Sequence, residues 1–224
     1  KEDGQADGGI LQAGGAAGPE RRGFSGIEVL SGKEFIEKGI LNSDTRCWSK
    51  LYRKESVGEL RFDTGLTVGE DMLFLLELAR RGKVFCRSGY EGYGYYINEK
   101  GAMLQVFRDS FMDQIACWQR ALKIVRVERA DLVNRAEAIL LISVMLVAGK
   151  LAVLSRGERK EKGKYVARCL HLARKYGGKK EVFRELDRGY RIKVKVYCRV
   201  PELYMLLYRF LQYVKTIRLK DFLS

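Results

Sequence analysis

Residues 47–103 read CWSKLYRKESVGELRFDTGLTVGEDMLFLLELARRGKVFCRSGYEGYGYYINEKGAM, and the centre of that stretch, LTVGEDMLFLLELARRG over residues 66–82, decides the fold. Thr67 and Glu70 have the spacing of a capping box. The spacing predicts a helix over residues 69–81, with Met72, Leu73, Leu75, Leu76 and Ala79 on a broad apolar face. Arg80, Arg81 and Gly82 supply the charges and the stop expected at its C-terminal end. Glu70 and Asp71 then fall in the first turn of a buried helix, where a carboxylate is held rigidly. Acids favour first turns on electrostatic grounds alone, so by itself the pair is equally a helix-end feature.

Outward from this helix, residues 47–52 alternate well enough for a strand, with Trp48, Lys50 and Tyr52 on one side. An indole stacks on a sugar face and an ammonium pairs with a phosphate. A half-buried strand with an amphipathic rim accounts for the same pattern. Arg53 follows directly. On the far side, residues 83–87 and 92–97 read as two short strands, and Gly89, Gly92 and Gly94 mark tight turns between them. The second of these ends in Tyr95-Tyr96.

Taken in order, the aromatic-basic CWSKLYR segment, the Arg61-Phe62 pair, the Glu70-Asp71 helix and the paired tyrosines resemble the second half of the catalytic domain of family-2 glycosyltransferases. These are bacterial GT-A-fold enzymes that build surface and capsular polysaccharides. The resemblance strongly covers roughly a quarter of the chain. It implies a hexosyltransferase-type enzyme that moves a sugar from a nucleotide-sugar donor to a polysaccharide or lipid-linked acceptor. It implies that Asp71, beside Glu70, is the general base that deprotonates the acceptor hydroxyl. It also implies that Trp48, Lys50, Arg53, Tyr95 and Tyr96 contact substrate. A divalent cation, Mg²⁺ or Mn²⁺, is implied only for the full-length protein, none being expected on this chain. The upstream parts such an enzyme needs are missing from residues 1–46: there is no first strand with a nucleotide-contacting loop, and no Asp-x-Asp at a strand end. The chain is therefore expected to be a fragment lacking its donor and metal half, and inactive alone. The sequence departs from the family after the tyrosines, with Ile97-Asn98 where an Arg is usual; Lys100 and Arg108 are the candidate substitutes.

Composition narrows the alternatives. The chain has 224 residues, 46% of them hydrophobic, as a globular protein requires. Five spread cysteines without a C-x-x-C, and a single histidine (His171), offer neither a disulfide framework nor a zinc site. Reduced, mostly buried thiols in a cytoplasmic protein are expected. The formal charge of +14 is unevenly placed: residues 1–110 carry 16 Lys and Arg against 17 Asp and Glu, and residues 111–224 carry 26 against 11. The C-terminal half thus calls for an anionic partner. No nucleic-acid-binding motif is present, which makes nucleic acid an unfavoured one.

The rest of the chain divides into a Gly-rich lead-in (residues 1–23), an acceptor-side half of a GT-A-like domain (24–108), a helical extension (109–188) and a basic amphipathic segment (189–224). Ser31 and Glu34 form a second capping box. Phe111, Ile115, Trp118, Leu122 and Val125 recur at helical spacing. Residues 138–149 form an apolar run of 12, too short for a spanning helix and suited to a core helix. Another helix is expected over residues 165–176. Beyond residue 189, Ile192, Val194 and Val196 alternate with Arg191, Lys193 and Lys195. Pro201 suits the first position of a helix whose apolar side carries Leu203, Leu207, Phe210, Leu211 and Val214. Arg209, Phe210, Lys215 and Arg218 are the candidate contacts with an anionic membrane, at the inner face of the plasma membrane. The fold class expected is α/β to α+β, helix-rich. Besides the enzyme, two functions fit the sequence: a non-catalytic basic module for a membrane surface, and a degenerate glycosyltransferase kept as a scaffold.

Overall fold

The structure, a computed structural model, describes residues 26–88, 93–94 and 106–223, with side chains placed up to residue 214. The lead-in, the strand expected over 92–97 and the Tyr95-Tyr96 pair lie outside the described residues. The protein is helix-rich, with one small antiparallel sheet among the described residues. Its strands are β1 (Ile27–Leu30) and β2 (Phe85–Ser88), paired so that Glu28 faces Arg87 and Leu30 faces Phe85. Both Arg87 and Lys38 bind the Glu28 carboxylate, at 2.5 and 3.2 Å.

Helix α1 (Gly32–Lys38) starts as the sequence predicts. The Ser31 hydroxyl accepts from the Glu34 N–H, and the Glu34 carboxylate accepts from the Ser31 N–H. Gly32 at its first position lies against helix α3 (Glu70–Arg80), where an added Cβ would stand 2.0 Å from the Ala79 carbonyl oxygen. The obstacle is backbone, so Gly32→Ala must part the two helices. A destabilisation of about 1–3 kcal/mol is expected, read as a lowered urea midpoint at unchanged slope.

Between them lie a 3-10 turn (Ile40–Asn42) and a single helical turn, α2 (Lys54–Val57). The expected strand over residues 47–52 is not one. The chain turns there, Ser49 sits in the left-handed region at φ 60°, and the Lys50 ammonium folds back onto Asp44 and the Arg46 carbonyl.

The C-terminal part is built around one helix. Helix α4 (Phe111–Glu128) leads through a 3-10 turn (Ala130–Leu132) to α5 (Val133–Val153). Two short helices, α6 (Arg156–Glu161) and α8 (Lys180–Glu185), flank α7 (Gly163–Gly177). Then come α9 (Arg188–Arg199) and α10 (Pro201–Leu223). Helix α5 is apolar nearly all round and packs against α4, α7, α8, α9 and α10. It is the one helix among the described residues long and apolar enough to cross a membrane, yet 72% of its most apolar stretch is buried in the protein, so it serves as the core helix. The alternating run 191–196 is helical: Tyr190, Val194 and Tyr197 turn inward at the period of a helix. Buried side chains from Leu30 to Met205 form one continuous core. Arg129 ties its two ends together, donating to the Lys33 carbonyl and to the carboxylates of Glu37 and Asp131.

Candidate functional site

Helix α3 begins at Glu70, but its cap differs from the expected one. Gly69 is the N-cap, at φ 94°, and no side chain caps the helix. The Thr67 N–H instead donates to the Asp113 carboxylate of α4 at 3.0 Å. Only glycine suits position 69. The backbone there is left-handed, and a Cβ would stand 2.8 Å from the Cys117 side chain. This entry sets Glu70 and Asp71 in the first turn, half-buried.

The Asp71 carboxylate accepts the Cys47 N–H at 3.2 Å, while the Cys47 thiol lies 3.6 Å from the Asp71 carbonyl. Tyr52 donates its hydroxyl to the Cys47 carbonyl at 3.0 Å. The first turn of α3 and the turn at 47–52 are thereby locked together. Burial and the neighbouring Asp71 push the Cys47 thiol up to about 12, so it stays protonated at any physiological pH. Burial likewise raises Cys117 and Cys169 to about 12. Iodoacetamide at neutral pH is therefore expected to label the exposed Cys86 first and to spare these three, as peptide mass mapping would read out.

A groove of about 830 Å³ opens beside this junction. Its apolar lining includes the buried Leu30, Phe35 and Leu78, with Phe35 stacked on Phe85 at 4.0 Å. Its charged lining is Arg46, Lys50, Arg53, Lys83 and Arg87 against the single carboxylate of Asp44. Trp48 adds an indole that stacks on Tyr93 at 5.3 Å, with the Arg46 guanidinium 5.1 Å from its ring centre. Lys50 is paired with Asp44 and Arg87 with Glu28, so the positive balance of the lining rests on Arg46, Arg53 and Lys83. That balance suits an anion, and the indole gives the groove a flat apolar wall.

The structure thus gathers Trp48, Lys50 and Arg53 on one groove, together with Tyr52. It does not place Glu70 or Asp71 in the lining; Asp71 reaches the wall through Cys47, between the lining residues Arg46 and Trp48. Arg46, Lys83 and Arg87 escaped the sequence reading. The pairing of Glu28 with Arg87 across the sheet is what brings the last two to the groove. In the tail, Arg209 and Phe210 are exposed on α10, and Lys215 and Arg218 lie on its helical backbone beyond the last described side chain. His171 is exposed on α7.

No group of three or more His, Cys, Asp or Glu among the described residues converges as a set of metal ligands. No family model, curated protein or solved structure matches the chain.

Proposed function

We propose that this chain is the acceptor-side part of a family-2-type glycosyltransferase, with its small sheet and α3 forming one end of a GT-A-type domain. The observation that carries the reading is the placement of Asp71. Its carboxylate stands on the first turn of a buried helix, fixed by the Cys47 N–H, against the wall of a cationic, aromatic groove. A base must hold a definite position relative to the hydroxyl it deprotonates. A groove with Trp48 and the cations of Arg46, Arg53 and Lys83 suits a sugar borne on a phosphate or other anionic carrier.

On this reading the acceptor lies in the groove and its reacting hydroxyl extends past the Cys47 segment of the wall to Asp71, which stands outside the lining. The Asp71 carboxylate takes the hydroxyl proton as the oxygen forms its bond to the anomeric carbon of the donor. The bond from that carbon to the nucleoside diphosphate breaks, and the diphosphate leaves with the electron pair. The groove residues bind the acceptor and Asp71 takes its proton; none of these steps is assigned to a metal.

The test is sugar transfer by a protein that joins this chain to a donor-binding half, assayed over a panel of nucleotide sugars with Mg²⁺ or Mn²⁺. Transfer that requires Trp48 and Asp71 is expected. Absence of transfer from every donor, or transfer indifferent to Asp71→Asn, overturns the reading.

A further inference from the structure

Helix α10 is docked by the side opposite to the one its composition favours. Among its described side chains Tyr204 and Met205 are buried, and Tyr208 is half-buried beside them. The Tyr204 hydroxyl donates to the Met145 carbonyl of α5, and the Tyr208 ring fills the notch left by Gly149. At about 100° per residue these positions share one face. The other face carries Leu203, Leu206, Leu207, Phe210, Leu211 and Tyr213, all outward, with Leu206 and Tyr213 65% and Phe210 61% exposed. Among the described side chains, up to residue 214, no charge interrupts that arc; Glu202 and Arg209 stand at its edge. An exposed convex strip of six large apolar side chains on successive turns is a contact surface, because isolated soluble helices put such strips inward.

What lies around the strip says what covers it. The neighbouring α9 exposes Arg188, Lys193, Lys195 and Arg199, and residues 188–214 carry a single acid on helical backbone, Glu202. Exposed cations on α9 and at Arg209 of α10, on the same pair of packed helices as a strip of six exposed apolar side chains, match a diffuse anionic plane and not a pocket. Phosphate-backbone binding would leave the leucines without a role. We propose that α9 and α10 form a membrane-docking face that seats this protein on an anionic lipid bilayer, the α10 strip entering the headgroup boundary and the cations lying over lipid phosphates. The proposal does not depend on the enzymatic reading.

Flotation of the whole chain with vesicles tests it. Wild type is expected to float with phosphatidylglycerol-containing vesicles at low salt, and to float less, though still measurably, at high salt. Leu207→Glu with Phe210→Glu changes only exposed side chains, and should lower the bound fraction on the order of tenfold or more with an unchanged circular dichroism spectrum. Lys193→Gln with Arg199→Gln keeps the strip and should lose binding chiefly at low salt. If wild type does not float, or the glutamate variant floats as well as wild type, the proposal fails. It also fails if the strip instead mediates self-association, seen as a dimer in solution that the glutamate variant splits and that vesicles do not displace.

Discussion

In a protein that joins this chain to a donor-binding half, Asp71→Asn is expected to lower turnover about 10²–10⁴-fold, with the apparent affinity for the nucleotide sugar nearly unchanged. The amide keeps the size of the carboxylate, and its oxygen still accepts the Cys47 N–H that now bonds Asp71 at 3.2 Å. The junction between α3 and the 47–52 turn therefore survives, and the melting temperature should move little. What is lost is the ability to take a proton. Its signature is a fall in kcat that a better leaving group on the donor does not restore. Glu70→Gln, one position earlier and not bonded to the groove wall in this way, is expected to be much milder. A common loss in both variants together with a fall in melting temperature would mean that the pair only holds the end of α3.

The largest effect on stability is expected at Glu137. This carboxylate of α5 is 1% exposed, yet it accepts from Lys179 at 2.6 and 2.8 Å and from Arg126 at 2.9 Å. The two cations are about half exposed and come from α4 and from the start of α8, so three helices meet on one buried charge. The asymmetry in burial decides the order of the variants. Glu137→Gln removes the buried charge, and both cations can turn to water, so the cost should stay near about 1–3 kcal/mol. Arg126→Met with Lys179→Met leaves the carboxylate buried and unpaired, which costs about 3–5 kcal/mol. Urea denaturation of the three proteins would rank them. The reverse order would show that the cations contribute mainly through surroundings other than Glu137.

Much of the helical framework was legible because its signals are local. The Ser31-Glu34 capping box, the period of Phe111 to Val125, the apolar run inside α5 and Pro201 at the start of α10 each need only a few neighbouring residues to be read. The errors arose where a distant group decides. Thr67 has the right spacing for a cap, but its N–H is taken by Asp113, 46 residues away, and Gly69 bends the chain in against Cys117. Residues 47–52 alternate like a strand but meet no partner strand; Asp44 and Asp71 take their polar groups instead. The groove was half legible for the same reason. Trp48, Lys50 and Arg53 lie together in sequence, whereas Lys83 and Arg87 arrive only through the pairing of β1 with β2.

The enclosure of α5 by five other helices has a consequence for how the protein opens. The amide protons at its centre, around Leu140, Leu141 and Val144, have no neighbour that can fray away alone and admit solvent. Their exchange with deuterium should require unfolding of the whole core, so their protection reports the global free energy of the protein. Amides in the last turns of α10 should exchange orders of magnitude faster. Only the far end of the C-terminal helix, past its contacts with α5 at Tyr204 and Tyr208, can thus open and close many times during one lifetime of the folded core.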